Sequence, residues 1–135
     1  MTFPNERIQS SQKLKMILDQ AKSEGKKIVF TNGCFDIIHL GHVRLLEKAK
    51  SFGDLMVVGL NSDSSIASLK GEGRPVVPEA ERAEILSAFS CVDFVTSFEE
   101  ETPQNIIKEL VPDILVKGAD WPVSQIVGRQ IVELN

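Results

Sequence analysis

The chain has 135 residues, 42% hydrophobic and 25% charged, with a formal net charge of −4. That length and balance suit one globular domain with a single core, and the acidic balance argues against a broad nucleic-acid-binding face. No apolar run approaches the roughly 20 residues that span a bilayer, and Met1 to Gln20 lacks the apolar core of a secretory signal. Cys34 and Cys91 are isolated and without CxxC spacing. They read as reduced thiols of a cytoplasmic protein, not as a disulfide framework or a zinc site.

In chain order, Leu14, Ile17, Leu18 and Ala21 fall on one face at helical spacing and predict a helix over 11–23, stopped by Gly25. Lys27 to Thr31 is a short β-rich run, and Asn32-Gly33 reads as a tight turn after it. Val43, Leu46 and Ala49 predict a helix that Gly53 closes at Phe52, and Leu55 to Leu60 reads as a second buried strand. Asn61 to Ser65 is polar, and Lys70 to Pro78, rich in Gly and Pro, reads as a loop. Pro78 to Phe89 predicts a helix with Glu79 and Glu81 in its first turn. Val92 to Val95 is a third strand, Thr102 an N-cap with Pro103 at the first helical position, Asp113 to Lys117 a fourth strand, and Val123 to Leu134 a last helix. Met16, Met56 and the phenylalanines read as core.

Strand and helix alternate for most of the chain, which implies βαβ units: an α/β fold with a doubly wound parallel sheet and helices on both faces. Ligands in such sheets bind beyond the carboxyl ends of the strands. That rule points to the segments 32–42, 61–78, 96–100 and 117–121.

The first of these reads Thr31-Asn32-Gly33-Cys34-Phe35-Asp36-Ile37-Ile38-His39-Leu40-Gly41-His42. It leaves a strand and enters a helix, whose free N–H groups and dipole suit an anion. His39 and His42, three apart, face the same side and can donate to a transferring phosphoryl group. Gly41 lets a phosphate approach the backbone. The same spacing also fits a metal pair or a core histidine, although no cysteine or acidic cluster with zincin spacing accompanies it.

Gly33-Cys34-Phe35-Asp36 followed by His39-Leu40-Gly41-His42 resembles the GxFDxxHxGH signature of the cytidylyltransferase-like nucleotidyltransferases. Further blocks, Lys70 to Pro75, Glu81 to Leu86 and Asp113 to Trp121, resemble the branch whose adenylyltransferase domain serves bacterial ADP-heptose synthesis. The resemblance runs from about Lys13 to Leu134 and implies the Rossmann-like fold of that family. It implies ATP as nucleotide, carried with Mg²⁺, and D-glycero-β-D-manno-heptose 1-phosphate as acceptor. It further implies a homodimer, small-molecule substrates only, and a separate heptose-phosphate kinase in the same pathway. A cytidylyltransferase of glycerol 3-phosphate, or another phosphorylated alcohol, is the alternative enzyme; a non-catalytic nucleotide-binding module is the alternative of another class. Residues 1–26 read as an N-terminal helical segment packed on a nucleotidyltransferase domain, 27–135. The resemblance implies that this domain lacks its usual closing Ser-Thr-Thr-type C-terminal segment.

By the resemblance, His39 and His42 contact the triphosphate, Lys70 the acceptor phosphate, and Arg82 the triphosphate. Read from the residues alone, Lys70 is equally a solvated loop lysine and Arg82 a helix-surface partner of Glu79 or Glu81. Arg74 fits a phosphate or a subunit contact, and Lys48 or Lys50 a phosphate or a solvated helix face. Asp36 suits ordering of its own turn in preference to Mg²⁺. Asn32, Gly33, Cys34, Phe35, Asp36 and Gly41 line the nucleotide at one strand end, and Lys117, Gly118 and Asp120 at another. Trp121 either stacks on a ligand or packs in the core.

Overall fold

A computed structural model describes residues 4–117. Four strands are described: β1 (Ile28–Gly33), β2 (Leu55–Asn61), β3 (Phe94–Phe98) and β4 (Ile114–Leu115). They pair in parallel in the order β3-β2-β1-β4. Five helices connect or precede them: α1 (Ser11–Ser23), α2 (Leu40–Lys50), α3 (Asp63–Lys70), α4 (Glu79–Ser87) and α5 (Gln104–Leu110). The chain steps outward from β1 through β2 to β3, then returns to the other side of β1 with β4. The sheet is therefore doubly wound, and its switch point lies between β1 and β4.

Strand alternation divides the core in two. Val29, Met56, Val58 and Leu60 face α2 and α4, meeting Leu46, Ala49, Ala83 and Leu86. Ile28, Phe30 and Val57 face α1 and α5, meeting Leu14, Leu18, Ile106 and Ile107. Gly59 is where the sheet makes room for the largest of these: a Cβ there would sit 2.5 Å from Phe30 Cζ.

An aspartate immediately before each of β2, β3 and β4 docks the strand on its neighbour. Asp54, Asp93 and Asp113 accept the N–H of Lys27, Met56 and Ile28 on the neighbouring strand, each at 2.8 Å. This satisfies donors at the amino edge and helps fix register. At the open edge, Ile8 bridges Val95 and Arg7 donates to the carbonyls of Ser87, Phe89 and Val92. The segment before α1 thus covers β3 and caps α4.

Several sequence expectations need correction. Asn32-Gly33 is not a turn: both residues stay in the β1 ladder, opposite Gly59 and Leu60. The polar run after β2 starts a helix, α3, with Ser62 as N-cap accepting from Ser65 N and Asp63 in the first turn. The third strand lies two residues later than read, because Asp93 is spent on docking. Pro103, not Thr102, occupies the N-cap of α5, without a side-chain cap bond. Met56 is buried, but Met16 is 73% and Phe52 47% exposed. Met16 lies two residues from Leu14, on the far side of α1, and Phe52 lies past the end of α2. The expected helix over 123–134, with Gly118, Asp120 and Trp121, lies outside the described residues. Among the described residues no helix is long and apolar enough to cross a membrane.

Candidate active site

The carboxyl end of β1 leads into the turn that carries the histidines. Phe35 holds a left-handed backbone, φ 47°, with its side chain buried. A phenylalanine there is strained. Its ring fills the space a Cβ on Gly33 would need, 2.9 Å from Phe35 Cε2. Gly33 is therefore a glycine because of Phe35, not because the chain turns at it. The ring of Phe35 also lies 5.3 Å from that of His42.

His39 and His42 cap α2 reciprocally. His39 is the N-cap, and its Nδ1 accepts from Gly41 N at 3.0 Å. His42 Nδ1 accepts from His39 N at 3.1 Å. The two rings stack with centroids 4.0 Å apart. Because both Nδ1 atoms accept, each neutral imidazole carries its proton on Nε2. The pair thus offers two N–H donors at a helix N-terminus. Burial, then the charge on His39, then that on Lys70 hold the His42 pKa below its ordinary 6.5, so His42 serves as a neutral donor at pH 7. Gly41 has a local role too: a Cβ there would lie 2.7 Å from His39 Cε1. This glycine therefore leaves room for the capping ring.

Lys70 is exposed at the last position of α3, one residue before the glycine-rich loop in which it was expected. Helix α3 follows β2, the neighbour of β1, so it starts from the strand end beside the one that leads to the histidines, and the charge of Lys70 is the least of the causes that lower the His42 pKa.

Asp36 ties that loop to the β1 turn. Its carboxylate, 1% exposed, accepts from Arg74 Nε at 2.6 Å, Val76 N at 2.9 Å and Val77 N at 2.8 Å. Burial alone would raise its pKa; the Val77 and Val76 N–H groups and the Arg74 guanidinium outweigh this and hold it at about 2. Asp36 therefore orders a distant loop rather than its own turn, and Arg74 gives its Nε–H to Asp36 while its side chain stays 37% exposed.

Arg82 is not on the helix surface. It is wholly buried. Nε donates to Val77 O at 2.9 Å, NH1 to Cys34 O and Asn61 O at 2.8 Å each, and NH2 to Asp63 Oδ1 at 2.7 Å. Asn61, Asp63 and Val77 were not singled out from sequence; the polar run Asn61-Ser62-Asp63 after a strand was the available signal. Lys50 pairs with Asp93 at 2.6 Å on the amino edge of the sheet, away from the histidines. Lys48 is exposed.

At the switch point, Lys117 Nζ donates to Asn32 Oδ1. Thr31 Oγ1 donates to Val116 O at 2.8 Å and holds β4 beside β1 there. Burial lowers the Lys117 pKa to about 8, partly offset by Cys34. Asn32, Cys34 and Lys117, read from sequence as belonging to two different strand ends, thus come together. Both cysteines are free thiols. A separate cleft of about 350 Å³ at the end of β3 is lined by Glu79, Glu99, Glu100 and Glu109; four carboxylates disfavour a triphosphate there. Among the described residues no cluster of three or more His, Cys, Asp or Glu could hold a metal, and Asp36 has both oxygens engaged.

Comparison with known proteins agrees with this geometry. A family model described as cytidylyltransferase-like matches residues 30–134. The chain is 56% identical over 117 residues to the Bifunctional protein HldE of Geobacter sulfurreducens, covering 87% of this chain and 24% of that one. It is 56% identical over 126 residues to the protein of the same name from Campylobacter jejuni subsp. doylei, covering 93% and 27%. The chain thus spans about a quarter of the length of these relatives. A crystal structure of the lipopolysaccharide core biosynthesis protein from Thermoplasma volcanium GSS1 superposes with a TM-score of 0.69 at 31% identity, covering 81% of this chain and 88% of that one. The chain belongs to the cytidylyltransferase-like family and is a nucleotidyltransferase.

Proposed function

We propose that the chain transfers the adenylyl group of ATP to a sugar 1-phosphate, D-glycero-β-D-manno-heptose 1-phosphate, giving ADP-heptose and pyrophosphate. The observation that carries the phosphate chemistry is the stacked pair of Nε2–H donors at the start of α2, with the charge of Lys70 felt at His42. The acceptor and base rest on the likeness to HldE and on the Lys70–Pro75, Glu81–Leu86 and Asp113–Lys117 blocks. A phosphate oxygen of the acceptor attacks the α-phosphorus. A new P–O bond forms there, and the bond to the bridging oxygen breaks, its electron pair leaving with pyrophosphate. The acceptor is already anionic, so no general base is required. His39 and His42 donate to the triphosphate as charge moves onto the leaving group, and Lys70 holds the acceptor phosphate against it. Lys117 and Asn32 serve the nucleotide from the switch point. Mg²⁺ travels with the triphosphate and neutralises part of its charge.

The test is pyrophosphate release with ATP and with CTP, each across heptose 1-phosphate, other sugar phosphates and glycerol 3-phosphate. Release with ATP and heptose 1-phosphate alone is the expected result. A preference for CTP with glycerol 3-phosphate would overturn the base and acceptor, and no release with any pair would favour a binding module.

A further inference from the structure

A guanidinium has five N–H donors, and Arg82 makes four hydrogen bonds to four separate segments: the β1–α2 turn at Cys34, the end of β2 at Asn61, the first turn of α3 at Asp63, and the loop at Val77. Two of these lead directly to the reacting groups, because the Cys34 turn carries His39 and His42 and α3 carries Lys70. We infer that Arg82 is a positioning residue for nucleotidyl transfer: it fixes the distance between the histidine pair and Lys70 without touching either substrate. This rests on the two-phosphate reading given above.

The choice of arginine is not explained by packing. A buried apolar side chain would hold α4 on the sheet without the cost of desolvating a charge. The one anionic partner, Asp63, is itself half exposed. What arginine adds is directional bonding to two carbonyl oxygens at the ends of β1 and β2. Left bare at the ligand-binding edge, those oxygens would repel an incoming triphosphate. Bound to Arg82, they are turned inward and screened by a positive charge. A lysine in its place has three donors on a flexible stem and cannot span all four acceptors in one plane.

The experiment compares wild type, Arg82→Lys and Asp63→Asn. Steady-state kinetics are read well below the melting temperature, together with the Cε1–H proton resonances of His39 and His42, the only imidazoles in the chain. For folded Arg82→Lys we expect kcat to fall by roughly a hundredfold, as small displacements at such sites do. The KM for ATP should stay within about threefold, and both histidine resonances should move although Arg82 touches neither ring. Unchanged kcat and resonances in a cooperatively melting Arg82→Lys would overturn the inference. So would a raised ATP KM at unchanged kcat, which would put the guanidinium on the triphosphate. Should Arg82→Lys fail to fold, Asp63→Asn keeps the three carbonyl bonds and is expected to show the same resonance shifts with a loss of about tenfold; its identity with wild type would overturn the inference equally. Wild-type resonances that ignore saturating ATP would bring down the two-phosphate reading itself. A wild-type response beside an unaltered Arg82→Lys would bring down the positioning role alone.

Discussion

In the proposed mechanism each histidine does two jobs with two different nitrogens, and isosteric substitutions can separate them. In His39 the Nδ1 atom caps α2 by accepting Gly41 N–H at 3.0 Å, while Nε2–H is the outward donor. Asparagine places an acceptor where Nδ1 was and nothing where Nε2 was; glutamine reaches the Nε2 position and loses the local acceptor. The cap is one neutral hydrogen bond on an exposed residue, so its loss should cost about 1 kcal/mol, or about 3–5 °C in melting temperature for a chain of this size. The outward donor acts on charge that moves in the reaction, and its loss should raise the barrier by about 2.7–4 kcal/mol, a fall of roughly 10²–10³ in kcat. His39→Asn is therefore expected to melt close to wild type and be nearly inactive. His39→Gln is expected to melt lower and retain measurable turnover. Thermal unfolding and pyrophosphate release on the same preparations read the two effects. An active His39→Asn, or a His39→Gln as stable as wild type and as inactive as His39→Ala, would refute the division of labour.

Three other outcomes follow from the same geometry. Lys117, with its pKa at about 8 against an ordinary 10.5, is charged below pH 8 and loses its charge above it. The KM for ATP should rise through that range and Lys117→Met should abolish the rise, whereas folding stability should increase between pH 8 and 10.5 as the penalty of a buried cation is relieved. Asp36, held at about 2 against an ordinary 3.8, contributes stability that is complete above 3.8 and lost as pH falls through 2; a series of urea midpoints should show this slope in wild type and not in Asp36→Asn. Gly59→Ala would drive a Cβ to 2.5 Å from the buried Phe30 ring, costing about 1–3 kcal/mol by overpacking, and Phe30→Leu on that background should restore part of the loss in a denaturant titration.

The parts of the fold legible in sequence were those set by local periodicity. Leu14, Leu18 and Ala21 in α1, and the apolar run of β2, announce their own secondary structure. The parts that were not legible depend on partners distant in sequence. Asn32-Gly33 carries a turn signal, but six successive pairings with β2 extend the strand through it. The polar residues after β2 suggest a loop until Ser62 is seen to cap α3 and Ile66 to bury against the sheet. The site divides in the same way. His39, His42, Asn32 and Lys117 could be placed near strand ends from motif spacing, though not the bond that joins Asn32 to Lys117. Arg82 and Asp36 could not, because nothing local reveals that one arginine is fully buried or that a turn carboxylate binds a loop some forty residues away.

The spacing of the histidines bears on whether their chemistry follows from the fold. Residues at the N-cap and three positions later can cap each other, and serine with glutamate does so as well as any pair. Helix α2 would fold with those residues. Two features would be lost. A glutamate at position 42 would set a negative charge where a triphosphate must approach, and a serine at position 39 would spend its oxygen on the cap and reach no farther. Imidazole is the side chain that accepts a cap bond on one nitrogen while carrying a proton outward on another, without charge near neutral pH. The lowered pKa of His42 keeps it in that neutral form. Folding therefore accounts for the positions of these residues, and the outward donors of the proposed mechanism would account for both of them being histidine.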